Sequence, residues 1–345
     1  MGAIWPTGWL RTPTGKLRAL SDSGSVVVLA GGTGGAKLAR GMLDVVGAAR
    51  LTVIANTGDD TEVYGSHVSP DPDLISFWLA DWIDARGWGL DGDTFHVMEG
   101  LRELGEDIWF NLGDQDLGVA IRRAQALARG ERLTVAHRQL NARLGVRAAV
   151  LPMSDRPVRT RVLAGGRWQT LQAFLIRERG QGEIDDVQFR GAAEAGTTPE
   201  VLHALADAQA IVIGPSNPVI SIGPMLAIDE LRAALIASRA PVVAVSPIVA
   251  GEVLKGPTAA FMRHAGVEAS AQGVAELYAG LIDGLVSDEQ LTGGATGGTT
   301  GEGTSGATPE LPATLRADLL MSGPAGRRRL ARETLTFALT LSKAD

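Results

Sequence analysis

Residues 25–56 read SVVVLAGGTGGAKLARGMLDVVGAARLTVIAN. The opening SVVVLA is a continuous β-branched run, the pattern of a strand buried on both faces of a parallel sheet. In the following AKLARGMLDVV, Leu38, Met42, Val45 and Val46 recur near helical spacing and predict an amphipathic helix. LTVIAN is a second buried strand. A strand, a helix and a strand in so short a stretch make a βαβ unit, which is right-handed almost without exception.

Working outward, the alternation continues. DLISFWLADWIDA, DTFHVMEGLRELG, LGVAIRRAQALARG and RLTVAHRQLNARLGV read as helices. Short strands follow around AAVLPM, VRTRVLA and RWQTLQAFLI, with Gly165 and Gly166 as a hairpin turn between the last two. Helices PEVLHALADA and AIDELRAALIAS then alternate with strands AIVIGP and PVVAVSPIV, and LRADLLMSG and RRRLARETLTFALTLS close the chain as strand and helix. The expected fold class is α/β, a doubly wound, mostly parallel, Rossmann-like sheet with a small β-rich and helical insertion. The boundaries expected are an N-terminal arm at 1–24, a nucleotide- and metal-binding α/β part at 25–146, a β-rich insertion at 147–190, and completion of the α/β domain at 191–345. Within the last part, the Gly/Thr stretch 292–308 reads as a flexible loop.

Composition narrows the function. The 345 residues include 44 glycines and no cysteine, so a disulfide framework, a thiolate zinc site and a cysteine nucleophile are excluded. The net charge of −7 argues against an extended nucleic-acid surface. No apolar run reaches the roughly 18–20 residues of a membrane helix. The first twenty residues are broken by Pro6, Gly8, Arg11, Pro13 and Gly15, so no signal peptide is expected. A cytoplasmic protein acting on small molecules is the expectation, with no nucleic acid and no membrane as partners.

Several polar turns follow apolar strands. Gly31, Gly32, Thr33, Gly34, Gly35 and Lys37 lie between the first strand and its helix, where close backbone approach and unpaired N–H groups suit a phosphate. The spacing fits neither GxxxxGK[ST] nor GxGxxG. Asn56-Thr57-Gly58-Asp59-Asp60 ends the second strand, and Ser69-Pro70-Asp71-Pro72-Asp73 follows shortly after. Asp59 and Asp73 together read as ligands for Mg²⁺ or substrate, since hard cations take carboxylate oxygens; Asp71 alone reads as a helix cap. Asn111, Asp114 and Asp116 form a third acidic turn, read as a strand end. Met153-Ser154-Asp155 and Gly214-Pro215-Ser216-Asn217-Pro218 are two more. Ligands of open α/β sheets collect at such carboxyl ends. The five histidines show no ligand spacing, and Trp78, Trp82 and Trp88 read as packing residues.

Taken in order, GGTGGAK, NTGDD, SPDPDL, LGDQDL, LPMSDRPVRT and IGPSNPVISIGP resemble the 2-phospho-L-lactate transferase family of coenzyme F-420 biosynthesis, including its bacterial phosphoenolpyruvate-using branch. The resemblance spans about residues 25–345. It implies transfer of a phospho-2-hydroxyacid group, phospholactyl or phosphoenolpyruvyl, from a guanosine diphosphate ester to the ribityl hydroxyl of the deazaflavin FO, releasing GMP, with Mg²⁺ required and a homodimer expected. It also implies roles. Gly31 to Gly35 and Lys37 would hold the donor phosphates, and Ser216 and Asn217 would contact the donor nucleotide or the acceptor ring. Asp59 and Asp73 would be the metal ligands and catalytic residues, and Asp73, Asn111, Asp114 and Asp116 would line the FO side. The sequence departs from the family pattern at Leu74-Ile75 and at Gly118-Val119-Ala120.

Two other readings are weighed. A non-catalytic nucleotide-sugar-binding regulator of the gluconeogenesis-factor type shares the glycine loop, but is not expected to carry SPDPD with GDQD and the MSD turn. An NAD-dependent oxidoreductase would need a third glycine where Lys37 stands.

Overall fold

The computed structural model describes residues 24–253, 256–291 and 311–341. Seven strands build the central sheet: β1 (Ser25–Ala30), β2 (Leu51–Ala55), β3 (Ala149–Pro152), β4 (Ala208–Ile213), β5 (Val242–Val245), β6 (Gly284–Ser287) and β7 (Ala313–Arg316). Their spatial order is β3-β2-β1-β4-β5-β6-β7, and every pairing is parallel. That is the doubly wound order, in which the chain leaves β1 toward one edge and returns at β4 to build the other. The switch point therefore falls between β1 and β4.

The uniform apolar strands are explained by what covers them. Val26, Val28 and Ala30 face a layer made by helix α1 (Gly32–Val46), helix α2 (Pro70–Leu79) and the closing helix Gly323–Thr340, through Leu38, Met42, Ile75, Leu330 and Leu335. Val27 and Leu29 face the opposite layer, where Val201, Leu205, Leu231, Leu235 and Val274 come from helices Pro199–Ala206, Asp229–Ala237 and Ala271–Leu277. Alternate residues of one strand thus pack on two helical layers, and neither face of β1 can accept a polar side chain.

Two insertions hang on this frame. Between β2 and β3 lie the hairpin Thr61–Val63/Ser66–Val68, α2, a short helix His96–Glu103, α3 (Asp114–Ala128) and α4 (Leu133–Leu144). They have a small core of their own, built on Val63, Val68, Met98, Leu112, Leu117 and Ala120. Between β3 and β4 stands an antiparallel sheet of Arg159–Ala164, Arg167–Thr170 and Ile184–Arg190. The turn between the first two strands is Gly165-Gly166 with φ of 57° and 71°, the left-handed pair a two-residue hairpin requires.

Several expectations change here. Ala149–Pro152 pairs with β2 as an edge of the main sheet rather than belonging to the β-rich insertion. RWQTLQAFLI divides into strand Arg167–Thr170 and helix Leu171–Ile176, with Thr170 Oγ1 accepting the Ala173 N–H as an N-cap. The hairpin at 61–68 and the strand Ile184–Arg190 are too short or too polar to stand out in the sequence. Helix α2 stops at Leu79, leaving Trp82 and Trp88 at 44% and 52% exposure while Trp78 is buried. Most of the arm at 1–24 and all of the Gly/Thr stretch 292–308 lie outside the described residues. No described helix is long and apolar enough to cross a membrane.

Candidate functional site

A cleft of about 460 Å³ opens at the switch point, over the carboxyl ends of β1, β4 and β5. Gly31, Gly32, Thr33, Gly34 and Lys37 form one wall, and Pro215, Ser216 and Asn217 form the facing one. Leu175, Val249, Val253, Leu319 and Met321 add an apolar side. The sequence-predicted glycine turn and the turn after β4 are therefore brought together, although 178 residues or more separate them.

The glycines divide into two kinds. Gly32 has φ +61° and nothing near its would-be Cβ, so its backbone is bare toward the cleft. Gly34 is different: a Cβ there would lie 2.1 Å from the Pro215 carbonyl oxygen. Gly35, which does not line the cleft, is pressed between Ala30 and Ser216. Close packing of two turns, as much as phosphate contact, accounts for the glycine run. The first helical N–H groups are also already engaged. Gly31 donates to Ser216 Oγ at 3.1 Å, and Gly32 donates to Asp71 Oδ1 at 2.5 Å.

Asp71 is thus not a cap of its own helix. It crosses to the N-terminus of α1, where a carboxylate meets the positive end of the helix dipole. Its Oδ2 accepts from Asn56 Nδ2 at 2.9 Å, and the same nitrogen stands 3.5 Å from Asp59 Oδ1. Asp59 Oδ2 accepts from Gln172 Nε2 at 2.9 Å. Asn56 therefore joins Asp59 to Asp71, and the antiparallel insertion reaches the site through Gln172. Burial pushes the Asp71 carboxyl up to about 6, against the pull of Asn56 and the Gly32 N–H. Burial, then the Asp71 and Asp60 charges, hold Asp59 well above the ordinary carboxylate range.

Asp73 lies in a second cluster. It is ion-paired through Oδ1 with Arg123 of α3, whose side chain is completely buried. Asp73 Oδ2 is buried without a hydrogen-bond partner. Burial raises the Asp73 carboxyl, with Arg123 opposing. Asp116 stands nearby, pushed up to about 7 by burial and then by the Asp73 charge. Asp60 accepts from Ser69 Oγ at 2.7 Å and pairs with His67 Nε2 at 3.1 Å.

The remaining candidates sit elsewhere. Residues 111–113 are an irregular approach to α3, not a strand end. Asn111 is exposed, with Oδ1 accepting from Arg102 at 3.1 Å. Asp114 accepts from Thr94 Oγ1 and from the His96 and Val97 N–H groups, so it caps the helix His96–Glu103. Asp155 pairs with Arg132 and accepts the Thr134 N–H at 2.8 Å, capping α4. Asn217 Oδ1 accepts from the Val219 and Ile220 N–H groups and Nδ2 donates to Thr258, fixing the turn after β4. Sequence reasoning missed Gln172 and Arg123, which lie within helices rather than in the polar turns themselves, and read Asp71 as a cap. For Asp71 a signal existed, since it is one of two acids flanking Pro72 in the first turn of α2.

An open α/β sheet with a glycine turn and buried carboxylates at its switch point has the general layout of a protein that binds a small ligand at the carboxyl ends of its strands. The sequence model of 2-phospho-L-lactate transferase CofD matches residues 26–297, and the chain belongs to that family. It is 38% identical to the 2-phospho-L-lactate transferase of Methanosarcina mazei over 266 residues, covering 77% of this chain and 87% of the relative. It is 35% identical to that of Methanospirillum hungatei over 312 residues, covering 90% and 99%. A phosphoenolpyruvate transferase of Streptomyces griseus is 38% identical over 270 residues, covering 76% and 85%. Among solved structures, a Bacillus halodurans protein superposes with TM-score 0.52 at 20% identity, covering 79% of this chain and 82% of that one. That likeness bears on the fold alone. The family match favours the transferase over the non-catalytic regulator and the oxidoreductase.

Two predictions follow from the site. Gly34→Ala should disturb the cleft more than Gly32→Ala, because its Cβ meets a backbone carbonyl. Thermal unfolding should show Gly32→Ala losing about 1–2 kcal/mol from its left-handed backbone and Gly34→Ala losing more; equal losses would contradict this. Asp116, raised to about 7 in the folded chain, binds more protons there than when unfolded. It therefore lowers stability as pH rises from about 4 to 7. In urea titrations Asp116→Asn should gain on the parent protein across that window, with the difference reaching its plateau above the folded pKa.

Proposed function

We propose that this chain transfers a phospho-2-hydroxyacid group from a guanosine diphosphate ester to the terminal ribityl hydroxyl of FO, releasing GMP, in coenzyme F-420 biosynthesis. The observation that carries the reading is the cleft at the switch point, where the glycine turn and Lys37 face the turn after β4 beside the buried carboxylates. A negatively charged donor fits the N-terminal end of α1 and Lys37. The apolar side at Leu175, Val249 and Leu319 suits a planar ring.

In this reaction the ribityl oxygen attacks the phosphorus that bears the hydroxy acid. A phosphodiester bond forms, the bond to the GMP oxygen breaks with its electron pair leaving on GMP, and the hydroxyl proton passes to a carboxylate. We assign that proton to Asp73 Oδ2, because Oδ1 is committed to Arg123 while Oδ2 lacks a partner. A raised carboxylate pKa suits a proton acceptor better than an ordinary one.

The residues also fit Mg²⁺. Asp59 and Asp71, joined by Asn56 and with the Asp71 charge raising the cost of ionising Asp59, would hold it. Among the described residues no three His, Asp or Glu side chains converge at ligand distance. Mg²⁺ commonly uses one or two carboxylates, with substrate phosphates and water completing the set. When bound it would neutralise charge on the phosphate oxygens. Asp71, rather than Asp73, is then the partner of Asp59 in the metal pair. On this reading Asn111 and Asp114 shape the acceptor side without touching FO, and Asp116 acts beside Asp73. A cytoplasmic homodimer belongs to the same reading and rests on the family resemblance.

The test is GMP release on mixing FO, Mg²⁺ and each of three donors bearing lactyl, enolpyruvyl or phosphoglyceryl groups. Release with at least one donor, dependent on both FO and Mg²⁺, is expected; none with any donor would refute the assignment. Asp73→Asn should lower turnover by about 10²–10⁴-fold while FO binding, followed by its fluorescence, falls much less. Near-normal turnover would remove Asp73 from the chemistry.

A further inference from the structure

Among the described residues Arg123 is the largest side chain wholly withdrawn from solvent. A buried guanidinium is expensive unless its charge and donors are matched. Here the matching is incomplete and oddly specific. One terminal nitrogen donates to Asp73 Oδ1, the other donates to the His67 carbonyl oxygen at 2.9 Å, and Nε has no partner. A residue selected for stability alone would be better replaced by an apolar side chain of similar volume, which often leaves a fold equally or more stable.

The two acceptors belong to the two segments that carry the acidic groups. The His67 carbonyl lies on strand Ser66–Val68, and the His67 ring pairs with Asp60 and with Glu62. Asp73 sits in the first turn of α2, two residues beyond Asp71, and its N–H donates to the Ser69 carbonyl at 3.0 Å. Arg123 itself comes from α3, the same helix as Asp116. One planar fork therefore spans strand, helix and carboxylate at once. Loss of either bond would free the Asp73 carboxyl to turn, since Oδ2 has no hydrogen bond to restrain it.

We infer that Arg123 is a positioning residue for the transfer, fixing the rotamer of Asp73 by bridging its Oδ1 to the His67 carbonyl so that Oδ2 alone is presented to the acceptor hydroxyl. The inference rests on the assignment of Asp73 as proton acceptor. Lysine cannot reproduce it, because one ammonium lacks the fork that holds both oxygens in a fixed plane. The titratable groups facing the fork, besides Asp73, are Asp116 from α3, His67 from the hairpin, and His137 from α4, whose ring burial and then Arg123 keep neutral with a pKa of about 3. Among the described residues no other hydrogen bond or ion pair holds the Asp73 side chain.

The test combines kinetics with structure, using Arg123→Lys, Arg123→Met and Asp73→Asn. Arg123→Lys should fold, keep its donor KM within a few-fold, and lose about 10–100-fold in kcat, the usual cost of removing a group that orients a reacting one. In the Asp73→Asn background the same change should cost little more, because the two residues act as one unit. An equal loss in both backgrounds would mean a structural role and overturn the inference, as would unchanged kcat in Arg123→Lys. Arg123→Met reports the same coupling if it folds, and Arg123→Lys carries the test if it does not. A crystal structure of Arg123→Lys gives a readout independent of activity. A rotated Asp73 carboxyl supports positioning, and an unmoved one refutes it. Normal turnover of Asp73→Asn would instead refute the assignment of Asp73 itself, leaving that structural result to decide what Arg123 holds.

Discussion

The contact on which the site depends is the approach of two backbone turns at the centre of the sheet. The turn after β1 meets the turn after β4 so closely that Gly34 has no room for a Cβ beside the Pro215 carbonyl. Strand order places those turns side by side, because β1 and β4 are neighbours from which the chain winds in opposite directions. The N-terminal turn of α1 thereby lines the cleft, with its Gly31 and Gly32 N–H groups taken up by Ser216 and Asp71. Everything else at the site is arranged around that opening.

The second constraint is electrostatic. Asp59, Asp60, Asp71 and Asp73 are all buried, and they come from two short stretches of chain. Carboxylates so placed repel one another and lose hydration, which is why burial dominates the shifts of Asp59, Asp71 and Asp73. The fold divides the burden. Asp59 and Asp71 share Asn56, Asp60 faces His67 and Ser69, and Asp73 faces Arg123. Two of the four, Asp59 and Asp71, are thus left without a cationic side chain among their hydrogen-bond partners, and Asp71 accepts the Gly32 N–H of the glycine turn. A divalent cation with a diphosphate would satisfy both at once.

Much of this was legible in the sequence, for identifiable reasons. The parallel sheet announces itself because β1, β2, β4 and β5 are buried on both faces over most of their length and so largely apolar. The glycine turn and the NTGDD and SPDPD segments are local, so their residue types speak directly. What escaped is what depends on distant packing. Gln172 reaches Asp59 across 113 residues of chain, and Arg123 reaches Asp73 across 50. An acidic turn before a helix looks the same in sequence whether it binds a ligand or caps a neighbour, and the contacts that Asp114 makes with Thr94, His96 and Val97 were not legible there. Asp71 misled in the opposite sense: it has the position of a cap and the contacts of a site residue.

The central proposal is that the cleft between the β1 and β4 turns holds the donor diphosphate, with Asp71 directly behind the glycine turn. A crystal structure with guanosine diphosphate and Mg²⁺ tests it most directly. The diphosphate should lie against residues 31–34 and Lys37, with the metal on Asp59 and Asp71. A diphosphate bound away from that turn, or a metal held without either aspartate, would contradict the account.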